Sequence, residues 1–571
     1  MRQKITLIAI ACIFVLLFSG VVNLVCIQGK RLRYLSEKNC VRLLPQMGSR
    51  GRILDRNGLV IAGNRLSYDV MVLPQEQQET EELLEKVSGV LGEGVGGLRK
   101  AFREQFVSSS IPVAVASNID VKKAIALEEL KDELSGVMIQ PHPLRDYPYG
   151  RLACHVLGYL NEIDHWRLTK LADYGYKTKD LVGFGGIEEK YDYYLRQEEG
   201  GVSFEVDHRG RFVRVLGFRP PRDGKDIQLT LDVRVQEIAE EMLGGRIGSV
   251  ILMDPYDGQI IAMVNSPGFD PEVFVKKGGS APLRRILNDP DAPLLNRAIS
   301  GVYPPASVFK VIVAAAGLEN KKIGYSTTFP CGGGMQIGNR RFSCWDVHEP
   351  QNVFWALVHS CDVFFYRTGL LLGPEAIHDF ALKFGLSKST SIELPYEAAG
   401  NVPHPLKRKI TQFRKWYDGD TANFSIGQGE LLVTPLQIAR VMAVFANGGK
   451  LVNPYVVSSI AGKQVSRARQ KASPVPVQEE YLNHIRQALK AVVSSPAGTG
   501  TAVAGVEIPV AGKTGTAQVS RGQSHAWFAG FFPYTKPRFV ICVFLENGGS
   551  GHFAAALARQ IIEKMIAEGL V

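Results

Sequence analysis

The sequence lacks the features that mark nucleic-acid-binding and disulfide-rich proteins. Its 571 residues contain no zinc-finger spacing, no RNP-like motif and no long basic run, and the net charge of +10 is spread along the whole chain. The eight cysteines do not recur at regular spacing, which excludes a disulfide scaffold. Hydrophobic residues make up 45% of the chain and charged residues only 21%. We therefore expect a folded protein of roughly two to four domains with no nucleic-acid partner.

Long apolar runs are also scarce, and one of them is long enough to cross a bilayer. Residues Ile5–Ile27 carry no charge and fit a single transmembrane helix. A cleaved signal peptide is the alternative, but it would have a shorter apolar region and a small-x-small cleavage site. Basic residues flank both ends of the run, so the positive-inside rule does not settle its orientation. We expect a signal anchor at 5–27, with residues 1–4 in the cytoplasm and the bulk of the chain outside it.

A stretch rich in proline and charge, "RPPRDGKD" (Arg219–Asp226), divides the rest of the chain. Before it, alternating apolar residues around "DRNG" in Arg50–Asn64 predict a β-hairpin. Residues 73–134 are polar and favour helices, with "TEELLEKVSGVL" as one amphipathic segment. Residues 145–218 carry glycine turns, a helix and strands. These observations predict one unit over 28–225 and a second over 226–571.

The second unit has strands at both of its ends and a mostly helical middle. Ile227–Leu231 reads as a strand that leads into a helix capped near Asp232, and Gly248–Val264 reads as a hairpin around "DPYDG". The end returns to strands in "PVAGKTGTAQV", "HAWFAGFFP" and "RFVICVFLEN", and a last helix follows. This order predicts one sheet built from both ends of the unit, with a helical lobe inserted between them.

The stretch "GVYPPASVFK" (Gly301–Lys310) raises the first question of chemistry. Two prolines suit a helix entry, so Ser307 falls in the first turn and Lys310 lies one turn further on the same face. A serine hydroxyl is a weak nucleophile until a base takes its proton. A lysine acts as that base only where burial or nearby positive charge favours its neutral form. Because S-x-x-K is short, a capping serine and an exposed lysine are the better explanation of this pattern when it stands alone.

Two further patterns follow in a set order. "HSCDVFFY" places Ser360 and Asp362 two residues apart beside an apolar run, and "VAGKTGTAQ" places Lys513, Thr514 and Gly515 inside a predicted strand. The order S-x-x-K, S-x-N or S-x-D, K-T-G is the signature of the penicillin-recognising acyl-serine enzymes. The second serine relays protons between the base and the leaving group in such a site.

The strand motif supplies binding groups for the substrate. A lysine and a threonine on a strand can bind a substrate carboxylate, and a glycine lets that strand approach the substrate backbone closely. The backbone N–H groups of Ser307 and Thr516 can form an oxyanion hole. Since order, spacing and context agree, the three patterns together predict an acyl-transfer site.

The resemblance extends beyond these three motifs. "YPPAS", "ANFSIGQGELLVTPLQIARVMAVFANGG", "AGKTGTA" and "HAWFAGFFP" resemble the transpeptidase domain of class B penicillin-binding proteins. "RGRILDRNG", "GFGGIEEKYDYYLR" and "EVDHRGR" are similar to the non-catalytic pedestal domain of the same class. "YPP" before the serine, and Asp362 where asparagine is usual, look most like the cell-elongation members of the class. One departure is Ala306, where glycine is common; we expect alanine to have an ordinary φ there, with little effect.

The resemblance implies an α/β (α+β) fold with three parts. A transmembrane anchor would be followed by an elongated β-rich pedestal, and then by a penicillin-recognising serine transferase domain with a central antiparallel sheet and a helical lobe. It also implies a single-pass protein of the inner (cytoplasmic) membrane whose catalytic domain lies in the periplasm.

The resemblance also implies the reaction. Ser307 would attack the penultimate D-alanine carbonyl of a peptidoglycan stem peptide, and an amine of a neighbouring stem would then resolve the acyl-enzyme. Lys310 would be the base, Ser360 the proton relay, and Asp362 would hold Lys310 and the substrate amide. Lys513 and Thr514 would recognise the carboxylate, and a β-lactam would acylate Ser307 in the same way. A D,D-carboxypeptidase side activity stays open, and no cofactor is required for this chemistry.

A cluster of cysteines and one histidine lies near the second motif. Cys331, Cys344, His348 and Cys361 make a complete tetrahedral ligand set for structural zinc. Cys361 is the middle residue of the S-x-D motif, so a metal there could brace the active site. A Cys331–Cys344 disulfide and unrelated buried thiols are the alternatives, because the spacing is not that of a standard finger. By resemblance, some elongation-type relatives carry zinc in this region.

Other functions on the same fold remain to be weighed. A division-type relative is one alternative, and a β-lactam sensor or hydrolase is another. A sensor would need several membrane spans, and we find no convincing hydrolytic glutamate: "ELPYEAAG" resembles a structural turn. A scaffold without activity is disfavoured by the intact serine and lysine residues of the motifs. By resemblance, the pedestal docks a polytopic membrane glycosyltransferase and other elongation-machinery proteins.

Overall fold

The computed structural model describes residues 2–74, 77–106, 112–134, 136–206, 212–275, 280–465, 472–519 and 522–571. Residues 207–211, which complete the "EVDHRGR" stretch, lie outside the described residues. The chain forms two compact units whose segments alternate along the sequence. Unit 1 comprises Met1–Gly51, Asn64–Leu144 and Arg196–Gly224, and unit 2 comprises Arg52–Gly63, Arg145–Leu195 and Lys225–Val571.

Helices and strands alternate in the N-terminal part of the chain, helices dominate the middle, and strands return near the end. The helices are α1 (Arg2–Val22), α2 (Gly29–Cys40), α3 (Gln77–Leu91), α4 (Val95–Gln105), α5 (Val121–Glu129), α6 (Cys154–Leu157), α7 (His165–Leu171), α8 (Gly186–Lys190), α9 (Asp192–Leu195), α10 (Val233–Leu243), α11 (Glu272–Val275), α12 (Ser280–Asn288), α13 (Lys310–Glu319), α14 (Val353–Val358), α15 (Asp362–Leu372), α16 (Pro374–Lys383), α17 (Pro405–Gln412), α18 (Asp418–Ser425), α19 (Pro435–Ala446), α20 (Glu479–Ser494) and α21 (Gly551–Ala567). The strands are β1 (Val41–Gln46), β2 (Ile53–Leu54), β3 (Val60–Val72), β4 (Val113–Ile119), β5 (Val137–Asp146), β6 (Tyr159–Glu162), β7 (Leu181–Phe184), β8 (Gly200–Val206), β9 (Phe212–Arg219), β10 (Ile227–Leu229), β11 (Gly248–Met253), β12 (Ile260–Ser266), β13 (Phe329–Cys331), β14 (Gly334–Ile337), β15 (Arg340–Ser343), β16 (Glu349–Gln351), β17 (Lys450–Leu451), β18 (Val457–Ile460), β19 (Lys463–Gln464), β20 (Ser473–Pro474), β21 (Ala511–Ala517), β22 (His525–Phe532) and β23 (Phe539–Leu545).

Unit 1 begins with the apolar helix that the sequence predicts. A helical stretch over Lys4–Ile27 is long and apolar enough to cross a membrane. In the same unit, β1, β8 and β9 form an antiparallel sheet. The predicted amphipathic segment is α3, whose Leu84 and Val87 lie in a buried cluster with residues of β3 and β4. The strand β4 was not predicted, because the whole region 73–134 reads as polar and helical in sequence.

Unit 2 contains a five-stranded antiparallel sheet with the strand order β12-β11-β23-β22-β21. The strands come from both ends of the unit, as predicted, because β11 pairs directly with β23 (Val250 opposite Val543). The helices α10 and α21 pack on one side of this sheet and share a buried cluster with it that includes Val235, Ile561 and Ile562. The long helical insertion between β12 and β21 forms the lobe that carries the candidate catalytic serine.

The predicted hairpin around "DRNG" belongs to unit 2. Ile53 lies opposite Ala62 in an antiparallel pair, and β2 also pairs in parallel with β10. The fully buried Asp55 accepts the backbone N–H groups of Asn57 at 2.7 Å and Leu59 at 2.8 Å, which fixes the turn. This segment therefore packs with the catalytic unit although it lies far away in sequence.

Candidate active site

The candidate nucleophile lies where the sequence places it, at the entry to a buried helix. Ser307 is partly exposed in a single 3-10 turn (Ala306–Phe309), and α13 begins at Lys310 directly after it. The N–H of Lys310 donates to the backbone oxygen of Ser307, so the turn runs smoothly into the helix. Nine of the ten residues of α13 are buried, including the whole side chain of Lys310. The serine therefore faces solvent, whereas the lysine one turn later is enclosed.

The backbone before the serine differs from the prediction. Ala306 has a φ of +49°, which is the left-handed region that L-residues rarely adopt, so the expectation of an ordinary φ is wrong. The strain is held by the loop "SIGQG", because Gly427 accepts the N–H of Ala306 at 2.9 Å. A Cβ at Gly427 would lie 2.1 Å from the backbone oxygen of Ala306. The glycine is thus required for the close approach that holds the nucleophile turn.

The chain before the serine is also held by residues of the sheet. The indole Nε1 of Trp527 donates to the backbone oxygen of Pro304 at 3.0 Å. The hydroxyl of Tyr303 donates to Glu546 at 3.3 Å, and the buried Arg297 donates to the same carboxylate at 2.8 Å. Burial, and then the charge of Glu546, raise the pKa of Tyr303, so this phenol stays protonated and donates. The approach to Ser307 is therefore fixed from the strand side as well.

Lys310 is the centre of the polar network. Its Nζ donates to the backbone oxygen of Ser360 at 2.8 Å, to the Oγ of Ser360 at 3.3 Å and to Oδ1 of Asp362 at 2.7 Å. The lysine side chain is 0% exposed and that of Asp362 is 17% exposed, so this is a buried and paired charge. The structure thus joins the first and second sequence motifs through one amine.

Ser360 itself lies in a strained conformation. Its φ is +55°, and Asp362 begins α15 two residues later. This backbone turn lets the carbonyl and the hydroxyl of one serine both face the same amine. The ring of Phe365, one turn into α15, lies 5.4 Å from the Nζ of Lys310 and closes the apolar side of the site.

The K-T-G motif lies in β21, as predicted. Lys513 is fully buried, and burial lowers its pKa well below the usual value. The charge of Lys310 lowers this pKa further, whereas Asp362 raises it, so the two lysines and the aspartate share one electrostatic environment. The Oγ1 of Thr514 donates to the hydroxyl of Thr499 at 2.9 Å. Sequence reasoning missed Thr499, because it lies in a short loop after α20 and belongs to none of the three motifs.

The glycine of the third motif was expected to let the strand approach the substrate, and in the structure it lies against the turn that carries Ser307. A Cβ at Gly515 would lie 3.0 Å from the backbone oxygen of Pro305 and 3.1 Å from the side chain of Val308. The strand therefore passes close against the nucleophile turn itself. Thr516 follows with an exposed side chain whose Oγ1 accepts the N–H of Gly551 at 3.0 Å. The serine turn and the residues Gly515 and Thr516 thus lie side by side.

The cysteines and the histidine of the candidate metal site also come together. One ligand atom from each of Cys331, Cys344, His348 and Cys361 lies within 4.8 Å of all the others. Cys331 and Cys361 are buried, and all three cysteines are free thiols. The Sγ of Cys344 accepts the N–H of Asp362 at 3.2 Å, which ties the cluster directly to the hydrogen-bond partner of Lys310. A hydrogen bond from Cys361 lowers the pKa of Cys344.

Comparisons with known proteins agree with this geometry. The family described as "Penicillin binding protein transpeptidase domain" matches residues 248–563, and the family described as "Penicillin-binding Protein dimerisation domain" matches residues 45–229. The chain belongs to the penicillin-binding protein transpeptidases. It is 32% identical to the peptidoglycan D,D-transpeptidase MrdA of Escherichia coli (strain K12) over 99% of this chain and 94% of that protein.

Solved structures of penicillin-binding proteins lead to the same family. The chain superposes with a TM-score of 0.84 and 27% identity on the penicillin-binding protein PBP2 of Helicobacter pylori in its complex with MreC, covering 93% of this chain and 99% of that one. A chain of the structure described as "Structural coordination of polymerization and crosslinking by a peptidoglycan synthase complex" matches with a TM-score of 0.75 and 28% identity, covering 98% and 97%. The predicted fold class, with its pedestal and transferase domain, is confirmed.

The activity follows from these relationships. The chain is a serine-type D-Ala-D-Ala transpeptidase that cross-links peptidoglycan during cell elongation, and penicillin binding is a property of its family. The predicted family and function are therefore confirmed, and neither a division-type role nor a sensor or hydrolase is favoured. The family needs no cofactor for this reaction, and the Cys/His cluster is present beside the site.

Proposed function

We propose that Ser307 is the residue that carries the acyl group. In the first half-reaction, its Oγ attacks the carbonyl of the penultimate D-alanine, and the C–N bond to the terminal D-alanine breaks. The terminal D-alanine leaves as the amine after it has received a proton. In the second half-reaction, an amine of a neighbouring stem peptide attacks the ester, forms the new amide and returns the proton to Ser307. The observation that carries this proposal is that Lys310, one turn after Ser307, contacts both Ser360 and Asp362.

We assign proton transfer to Lys310 and Ser360. Lys310 in its neutral form accepts the proton of Ser307, and its contact with the Oγ of Ser360 supplies a path on to the leaving amine. Asp362 positions Lys310 through the 2.7 Å contact and is available to the substrate amide. Because the lysine is buried and in contact with three acceptors, its amine has a defined direction before the substrate arrives.

We assign recognition of the terminal carboxylate to Lys513 and Thr514. An arriving carboxylate supplies an opposite charge to a lysine whose pKa burial has lowered, which favours the ammonium form of that lysine when the substrate is bound. Gly515 keeps the strand close to the serine turn, and the N–H groups of Ser307 and Thr516 serve as the oxyanion hole. A β-lactam uses the same groups, because it mimics the D-Ala-D-Ala end.

Labelling with a fluorescent penicillin tests the assignment of the nucleophile. The wild-type full-length protein should be labelled covalently, and the variant Ser307→Ala should not. Ser494→Ala, an exposed serine at the end of α20, is a matched control that should label like the wild type. A folded Ser307→Ala protein that is still labelled contradicts the assignment, and so does a folded wild type that stays unlabelled.

We further propose that the Cys/His cluster holds a structural zinc ion. The ligand atoms of Cys331, Cys344, His348 and Cys361 fit the size of a tetrahedral site, and three thiolates with one imidazole are ligands that zinc prefers. Bound zinc would supply no reaction step; it would fix the backbone around Cys361 between Ser360 and Asp362. Metal analysis of the purified protein should give one zinc per chain, and Cys344→Ser should lower that ratio. Absence of zinc together with a Cys331–Cys344 disulfide in mass spectrometry contradicts the proposal.

We also propose the location and the partners of the enzyme. The helix over Lys4–Ile27 anchors a pedestal (28–225) and a transpeptidase domain (226–571) in the inner (cytoplasmic) membrane, with residues 1–4 inside and the catalytic domain in the periplasm. The likeness to the MreC complex and to the peptidoglycan synthase complex supports assembly with a polytopic membrane glycosyltransferase and with other elongation proteins. Protease added to spheroplasts should digest the catalytic domain, and a tagged chain purified from membranes should retain a multi-spanning glycosyltransferase. Protection from the protease, or loss of the partner under mild detergent, contradicts these assignments.

A further inference from the structure

The helix α17 exposes its apolar side chains to solvent. None of its eight residues is buried, and Leu406 and Ile410, which lie one turn apart on one face, are 58% and 63% exposed. Phe413, directly after the helix, is 91% exposed, and Tyr417 is 66% exposed. Surface helices normally turn such residues toward the core. A contiguous apolar stretch on the outside of a folded unit indicates an interaction surface.

A charged residue holds this helix to the protein instead. The Arg408 side chain is 13% exposed and contacts Asp420 at 3.0 Å and Glu430 at 3.6 Å. Its guanidinium also lies 5.4 Å from the ring of Trp416, whose Nε1 donates to Thr421 at 2.8 Å. The inward face of α17 is therefore polar and is held by ion pairs. The outward apolar face is not needed to keep the helix in place.

Three cations lie close to the apolar residues in the sequence. Lys409, Arg414 and Lys415 are exposed, and among the described residues none of the three takes part in an ion pair. We call the surface formed by Leu406, Ile410, Phe413 and Tyr417 with these three cations the α17 patch. Its charge suits an anionic partner, and its rings suit a partner with apolar faces.

The α17 patch connects to the nucleophile through a short chain of contacts. Arg408 contacts Glu430, which follows the "SIGQG" loop by three residues from Gly427. Gly427 in turn accepts the N–H of Ala306 beside the catalytic serine. The helix that carries part of the patch is thus linked, through Arg408 and Glu430, to the loop that fixes the acyl-transfer site.

We propose that the α17 patch binds a peptidoglycan strand. Sugar rings would pack on Phe413 and Tyr417, and the carboxylates of stem peptides would pair with Lys409, Arg414 and Lys415. The inference rests on the roles assigned above to Ser307 and its neighbours, since those groups bind only the D-Ala-D-Ala end of one stem peptide. Cross-linking requires a second strand at the same time, and no residue of the three motifs is assigned to hold it.

Co-sedimentation with purified peptidoglycan sacculi tests the proposal with the full-length protein in detergent. The variant Lys409→Glu/Arg414→Glu/Lys415→Glu should bind sacculi about tenfold more weakly, because it reverses three exposed charges. Phe413→Ser should weaken binding by about fivefold through the lost ring contact. The charge-matched control is Lys322→Glu/Lys463→Glu/Lys536→Glu, which alters exposed lysines on other elements and should bind like the wild type.

Two further probes identify what is bound. Sacculi stripped of stem peptides by an amidase should bind the wild type more weakly and should no longer distinguish it from the triple variant, since the carboxylates are gone. Vesicles of anionic phospholipid should not compete with intact sacculi. Unchanged binding of the triple variant to intact sacculi, equal binding to stripped glycan, or competition by the vesicles overturns the proposal.

Penicillin labelling separates this inference from the proposed roles of the site. The triple variant should be acylated at the wild-type rate, because the α17 patch does not contact the serine. If the wild type itself fails to be labelled, the assignment of Ser307 is wrong whatever the sacculi show. If labelling is normal in every variant and sedimentation is unchanged, only the patch is wrong.

Discussion

A methyl group added at one glycine of the "SIGQG" loop should slow acylation strongly, and one added at the other glycine should be tolerated. Gly427 and Gly429 both have left-handed φ angles, +76° and +78°. An alanine at either position therefore meets a backbone cost of about 1–2 kcal/mol. At Gly427 the new Cβ would also lie 2.1 Å from the oxygen and 2.8 Å from the carbon of Ala306. At Gly429 the nearest atom is the Cβ of Asn423 at 3.7 Å, which is an ordinary contact.

The difference between the two variants isolates the clash. A backbone atom cannot move aside as a side chain can, so Gly427→Ala should lose a further 1–3 kcal/mol, roughly, of unfolding free energy to overpacking. The displacement falls on Ala306, the residue before the nucleophile. A shift of about 1 Å in a reacting group costs about 100-fold in rate. Gly429→Ala pays only the conformational cost and keeps the position of Ser307.

The assay is the rate of acylation by a fluorescent penicillin, measured together with the thermal unfolding midpoint of each variant. Gly427→Ala should be acylated about 100-fold more slowly and should unfold at a lower temperature than Gly429→Ala. Gly429→Ala should stay within about threefold of the wild-type rate, because its conformational cost falls on stability and not on the site. Equal rates in the two variants would refute the reasoning, since the contact between Gly427 and Ala306 would then not position the serine.

Three other outcomes follow from the same structure. Ala306→Gly should raise the unfolding free energy by about 0.5–1 kcal/mol in chemical denaturation. The left-handed φ of +49° costs an alanine about 1–2 kcal/mol, and the larger entropy that glycine loses on folding offsets part of the gain. A loss of stability contradicts the strained φ. Asp362→Asn should keep the rate of penicillin acylation within about tenfold of the wild-type rate, since the amide oxygen still accepts from Lys310, whereas Asp362→Ala should lower that rate by about 10- to 100-fold. Equal rates in the two variants contradict the positioning role. Glu188→Ala should lower the unfolding free energy by about 3–5 kcal/mol, because it removes the carboxylate that lies 2.7 Å from the buried guanidinium of Arg145, which is 1% exposed. A change below roughly 1 kcal/mol contradicts the burial of this pair.

The sequence order of three short motifs was enough to predict which residues gather around Lys310. Ser360 and Asp362 are remote from Lys310 in the chain, yet the structure brings all three within hydrogen-bond distance. This proximity was predictable because the role that the family resemblance implies for each motif requires the other motifs nearby. Lys513 also lies in a strand, β21, as the sequence predicts.

Backbone conformation and the interleaving of segments were not predictable in this way. The positive φ of Ala306 depends on a contact with Gly427, and no local pattern around the serine reveals that contact. Thr499 contacts Thr514 only because α20 ends beside β21. The region 73–134 was read as helical, and β4 was missed because its short apolar run is broken by polar residues. The sequence also does not show that Arg52–Gly63 packs within the catalytic unit.

Contacts from other parts of the chain explain why the site tolerates a strained backbone at two residues. The backbones of Ser360 and Ala306 are both left-handed. Ala306 directly precedes Ser307, and Ser360 contacts Lys310. Each is fixed from outside the motif that contains it: Ala306 by Gly427, and the turn after Ser360 by the thiol of Cys344, which accepts the N–H of Asp362. Such conformations persist only where surrounding structure over-determines them. Ser307 and the partners of Lys310 are therefore positioned by two loops outside the three motifs. Substitutions in those loops should lower the rate of acylation although they remove none of the groups proposed to react.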